Sequence, residues 1–233
     1  MIFEVLYLFL LKNKELLNEK NLEDLLDFSF GCIERLPPSS DSDPYKIRDA
    51  LTIFLTDLCR FLSKSQTIFF FQIISTKLVK MNPTQKTGPS LTSDHLILLL
   101  LRVFLCVVHL LGTSIFDLIK KTNELSEIVD GYIFSENLLI KITGCQIFKI
   151  FAEKNPKWKS NILSLMLNLV TVQFAEIEGM SGENFEEKCL GLEGYCICLS
   201  LLLRNIDFNL QSIPFDIGNS IFETAKSTLI FLD

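Results

Sequence analysis

The stretch Asp41-Ser42-Asp43-Pro44-Tyr45-Lys46-Ile47-Arg48-Asp49-Ala50-Leu51, continued by Phe54, Leu55, Leu58 and Leu62, is where the fold is most plainly written. Ser42 or Asp43 can offer a side-chain oxygen to the unpaired N–H groups of a helix start, and Pro44 suits the first turn, where its missing N–H is no loss. From Leu51 onward the apolar residues recur at three- and four-residue spacing, which places them on one face of a helix. Ile140, Ile147, Phe148 and Phe151 repeat that spacing far downstream, and nearly every segment between follows it rather than strand alternation. The chain reads as helical from end to end.

Working outward, the breaks fall where Pro, Gly, Ser and Asn cluster: Pro37-Pro38-Ser39-Ser40, Asn82-Pro83-Thr84 through Gly88-Pro89-Ser90, Asn155-Pro156, Gly179-Met180-Ser181-Gly182 and Ser212-Ile213-Pro214. They predict helices of about 15 to 22 residues. Thr92 or Ser93 is placed to cap the apolar run that begins at Leu96. Phe69-Phe70-Phe71 puts bulk on more than one helix face, as a middle layer of stacked helices requires.

With 48% hydrophobic and 21% charged residues in 233, the chain has ample material for a core and is not a disordered segment. A net charge of -6 argues against a general nucleic-acid binder, which needs clustered Lys and Arg. Seven cysteines, an odd number lying mostly in apolar helical runs, imply no disulfide framework. The Pro in Asn82-Pro83-Thr84 disqualifies that glycosylation pattern. Both points favour an intracellular setting, cytoplasm or nucleus. The N-terminal run Met1–Leu11 lacks a basic flank and a cleavage site, and Leu96–Leu111 is shorter than a span and contains Arg102. The expectation is therefore a buried helix at Leu96–Leu111 and no membrane span.

The stretch Asp41 to Leu58 resembles the second helix of a HEAT repeat. In that signature an Asp-rich turn leads to a Val/Ile-Arg step, a small residue and leucine-type core positions, matched here by Asp41, Asp43, Ile47-Arg48, Ala50, Leu51, Leu55 and Leu58. HEAT and armadillo units recur at ~40–47 residues, so a step of about 46 tests the register. Around Ile140-Lys141 the pattern returns with small Thr143, Gly144 and Cys145, then Phe148 and Phe151. Around Lys188 it is fainter, with Gly191, Tyr195 and Cys198. At His95 it breaks down, because Arg102 stands where an apolar residue is wanted. The resemblance implies an all-α, right-handed α-solenoid of antiparallel helix pairs over residues 1–233, in which turn carboxylates reach the Arg of a neighbouring repeat. An asymmetric helical bundle would satisfy the same periodicity without repeats.

Chemistry finds little footing. Cys106 and His109 could donate two metal ligands from one helix face, but no second close pair completes a tetrahedral shell. Cys196 and Cys198 diverge on a helix and Cys189 does not complete them. His95 and His109 lie on the most apolar helix, and no Ser or Cys sits in a nucleophile elbow. Gly191-Leu192-Glu193-Gly194 lacks the Lys of a phosphate-binding loop and is better read as permitting close helix packing. The expectation is a protein that is not an enzyme, with no cofactor, no metal and no small-molecule substrate.

What remains is surface. Glu176, Glu178, Glu183, Glu186, Glu187 and Glu193, relieved only by Lys188, form the clearest charge asymmetry, which reads first as a solvated loop and helix face and second as a docking surface for a basic peptide or tail. Lys77, Lys80 and Lys86, and Lys154, Lys157 and Lys159 beside Trp158, are short basic groups, and the first would serve an alternative nucleic-acid-associated module of a nuclear complex. Phe3 at one end and Phe231 and Leu232 at the other are apolar where a free repeat array needs a polar cap. The reading is a protein-binding scaffold, a fragment or a subunit of a larger complex, that takes a partner helix or peptide in a groove or on an apolar end.

Overall fold

The computed structural model describes residues 2–35, 44–81, 94–120, 122–177 and 183–203. They form helices α1 (Ile2–Lys12), α2 (Glu19–Glu34), α3 (Pro44–Cys59), α4 (Lys64–Met81), α5 (Asp94–Leu111), the single turn α6 (Ile115–Leu118), α7 (Thr122–Ile133), α8 (Leu138–Lys154), α9 (Pro156–Ile177) and α10 (Glu183–Leu203). No strand occurs among the described residues. The all-helical reading holds, and α3 and α9 begin at Pro44 and Pro156 as the proline positions predict. Asn155 caps α9, its Oδ1 accepting the Lys157 N–H at 3.0 Å.

Further breaks appear at short polar stretches that carry no Pro or Gly cluster. Asn18 caps α2 by accepting the Asn21 N–H at 2.9 Å, and Asn137 caps α8 by accepting that of Leu139 at 3.0 Å. Ser63 and Gln66 form a reciprocal capping box at α4: the Ser63 N–H reaches Gln66 Oε1 at 2.8 Å while the Gln66 N–H points at Ser63 Oγ at 3.4 Å. Gly112, with φ of 57°, ends α5 in the left-handed conformation that favours glycine. These extra stops make α1 and α7 only 11 and 12 residues long, shorter than the Pro and Gly clusters alone predict.

Within the span read as one repeat domain, packing concentrates in two compact units. One comprises Met1–Ile119 with Glu127–Val129, the other Lys120–Ser126 with Asp130–Asp233. In the first unit α5 packs against α2, α3 and α4, α1 packs on α3, and α2 packs on α3 and α4. A helix apolar on all sides must be covered on all sides, and α5 buries Leu96 through Leu101, Val103, Phe104, Val107, Val108 and Leu111. Phe71 of α4 stacks on Phe104 at 5.3 Å between ring centres. Leu51, Leu55 and Leu58 of α3 are buried, as their spacing predicts. In the second unit α8, α9 and α10 pack pairwise on one another around Ile147, Phe148, Phe151, Ile162, Met166 and Cys198.

Candidate interaction surfaces

Two described carboxylates of the acidic stretch are engaged inside the second unit. Glu176, at the end of α9, is ion-paired with Lys188 of α10. Glu193 is half exposed and pairs with Lys141 of α8, whose side chain is 1% exposed and whose Nζ also lies 3.4 Å from the Leu190 carbonyl oxygen. Glu193, Leu190, Cys189 and Glu136 line an open groove over this pair. Glu178, Phe231 and Leu232 lie outside the described residues, as do the side chains of Phe3, Glu183, Glu186 and Glu187.

The residues aligned by the register step share an environment. Arg48 and Lys141 are both buried cations on otherwise apolar helix faces. Each lies in or beside an ion pair that joins its helix to the second helix downstream. Lys141 reaches Glu193 directly. In the first unit Asp49 Oδ1 accepts from Arg48 Nη2 at 2.7 Å and from Arg102 Nη1 at 3.0 Å, which ties α3 to α5. Arg102, out of place as a core residue, is thus explained by Asp49. The turn acids Asp41 and Asp43 lie outside the described residues.

These links share a chain separation. Gln66 Nε2 with the Leu17 carbonyl, Lys77 with Asp27, Cys106 with the Thr56 carbonyl, Arg102 with Asp49, Cys145 with the Gly194 carbonyl and Lys141 with Glu193 are 49 to 53 residues apart. Helix-to-second-helix packing accounts for that constancy.

Of the basic groups, Lys77 is engaged within the fold, Lys80 and Lys157 are exposed, and Lys86 lies outside the described residues. Lys77 Nζ lies 2.6 Å from Asp27 Oδ1 and 4.7 Å from the centre of the Phe30 ring. Trp158 is buried against Phe151, with ring centres 5.4 Å apart, and so offers no stacking platform. The glycine reading also holds. A Cβ on Gly191 would stand 2.6 Å from the Phe134 ring, and one on Gly194 would collide with the Ile133 carbonyl oxygen and side chain. No group of three or more metal-ligating side chains occurs among the described residues.

Two features were not legible in the sequence. Asp130 Oδ1 is buried without a hydrogen-bond partner, and desolvation raises the carboxyl pKa to about 6. Tyr195, whose phenol is pushed up by burial and by the Asp130 charge, lies close by. The second feature is an apolar stripe on α1: Val5, Leu8 and Phe9 are 63%, 56% and 53% exposed at i, i+3 and i+4. On another side of the helix Tyr7 packs edge-on against Phe61, with ring centres 5.7 Å apart. By length and composition the helical stretches 94–118 and 156–177 could also cross a bilayer, and the first is mostly buried in the protein. No protein-family model, no curated protein and no solved structure matches the chain.

Proposed function

We propose that this protein is a non-enzymatic scaffold, a HEAT- or armadillo-like stack of helix pairs that binds another protein inside the cell. The observation that carries the reading is the recurrent 49-to-53-residue separation of the polar links that join a helix to the second helix along. It is the expected result of a repeat in which each helix packs on its counterpart one unit along. The contacts α1 with α3, α3 with α5, α2 with α4 and α8 with α10 follow the same rule. An asymmetric bundle would keep such a separation only where its helices and loops happened to be of similar length.

The partner surface on this reading is the exposed stripe of α1, an apolar edge suited to a helix with an apolar face. The acidic stretch serves as a secondary guide, since Glu176 and Glu193 already hold internal cations. A nucleic-acid role through the Lys77 edge is disfavoured by the ion pair with Asp27. The α5 segment is read as a core helix rather than a span, because α2, α3 and α4 pack on it.

The test is cross-linking capture from cells with the wild-type chain and with a Val5→Glu, Leu8→Glu, Phe9→Glu variant of unchanged helicity. A protein recovered through α1 by the wild type and lost from the variant is expected. Identical recoveries from both would refute the α1 assignment, and recovery in the membrane fraction after carbonate extraction would refute the soluble-scaffold reading.

A further inference from the structure

The first unit places two thiols together where α3 meets α5. Cys59 is the last residue of α3 and is buried, while Cys106 on α5 is partly exposed. Cys106 Sγ lies 3.8 Å from the carbonyl oxygen of Thr56, the residue one turn before Cys59 on the same face of α3. Helix axes ordinarily stand about 8–10 Å apart, whereas a disulfide needs Cα atoms roughly 4.4–6.8 Å apart. A thiol touching the Thr56 carbonyl stands beside the turn of α3 that carries Cys59, and the two thiols are hydrogen-bonding neighbours there.

We propose that Cys59 and Cys106 form a reactive dithiol, a modification site that exchanges with low-molecular-weight disulfides of the glutathione type and thereby cross-links α3 to α5. Cys106 is the attacking thiol. Its thiolate is favoured by the hydrogen bond of the Cys59 thiol and then by the nearby Arg60, which bring its pKa to about 7 against burial and the Asp57 charge. Cys59 is raised by the same contact and by burial, so it keeps its proton and acts second.

The exchange balances in two steps. The Cys106 thiolate attacks one sulfur of the small disulfide, whose S–S bond breaks, and one small thiolate departs with the proton Cys106 gave up. Cys59 then attacks the Cys106 sulfur of the mixed disulfide, and the second small thiolate leaves with the Cys59 proton. Two protein thiols are oxidised and one small disulfide is reduced to two thiols.

The second unit supplies an internal comparison. Cys145 and Cys198 are also neighbours across two helices, α8 and α10, but both are wholly buried. The Cys145 thiol lies 3.5 Å from the Gly194 carbonyl oxygen. With no exposed edge to admit a small disulfide, this pair stays reduced in the native state.

The test uses the full reduced chain, treated with oxidised glutathione at pH 7.5 under native conditions, quenched in acid and mapped by mass spectrometry. The Cys59–Cys106 disulfide is expected as the first internal cross-link, with Cys145 and Cys198 still free. Cys59→Ser is expected to halt at a glutathione adduct on Cys106, and Cys106→Ser to leave residue 59 unmodified. In wild type, which needs no variant to fold, Cys106 should be alkylated at least about threefold faster at pH 7 than the partly exposed Cys32, Cys189 and Cys196. A first disulfide between any other pair, or adducts forming on Cys32, Cys189 or Cys196 ahead of Cys106, would overturn the proposal.

Discussion

Asp130 carries a buried carboxyl oxygen with no hydrogen-bond partner, and its charge is unwelcome there. Its folded pKa of about 6 exceeds the ordinary 3.8, so the native state holds the proton more tightly than the unfolded chain does. Its contribution therefore favours folding below pH 4 and is lost as pH rises through 6. Asp130→Asn removes the charge, and is expected to raise the unfolding free energy at pH 7.5 by on the order of 1–3 kcal/mol and to change it little at pH 4. Urea titration at the two pH values reads both outcomes. Lys141 and Glu193 make an asymmetric pair, one wholly buried and one half exposed. Glu193→Gln strands the buried ammonium and should cost about 1–3 kcal/mol, whereas Lys141→Met removes the charge with its burial penalty and should be near neutral. Equal losses in the two variants, measured by denaturant unfolding, would contradict this. The sequence marked Lys141 as the echo of Arg48, but Glu193 as its partner depends on how α10 lies on α8.

At the scale of the element, two of the helix glycines predict opposite signs for one substitution. Gly194 on α10 meets the Ile133 backbone, which cannot step aside, so Gly194→Ala is expected to destabilise by about 1–3 kcal/mol. Gly31, inside α2, has open space where a methyl group would stand, and Gly31→Ala should stabilise by about 0.5–1 kcal/mol through helix propensity. Thermal unfolding of both variants is the check. That Gly191 and Gly194 permit close packing was legible from two small residues on one helix face. The partner was not, because Ile133 and Phe134 close α7 at a break marked by little more than Ser135 and Asn137. Short local caps of this kind end helices without the Pro and Gly clusters that sequence periodicity detects.

For the molecule as a whole, the division into two units makes stability local. Phe104 is fully buried and stacked on Phe71 in the first unit, and Phe104→Ala should cost about 3–5 kcal/mol. Hydrogen exchange in that variant is expected to accelerate across α2 to α5 while α8 to α10 keep their protection. Uniform acceleration through all of these helices would mean that the units unfold as one. The same local packing bears on the scaffold reading, since an array whose contacts run between neighbours distributes its stability unit by unit.

Periodicity and composition by themselves determined that the chain is helical, that Leu51, Leu55 and Leu58 face a core, and that α5 lies deep within one. Those properties follow from side-chain spacing and the cost of exposing apolar surface, both of which are local to a segment. Only the tertiary structure decided which helices meet. It paired Asp49 with Arg102, Lys141 with Glu193 and Cys59 with Cys106, and it left the Val5, Leu8 and Phe9 stripe uncovered among the described residues. Partners some 50 residues apart are selected by the approach and rotation of whole helices, and no short window of sequence contains that information.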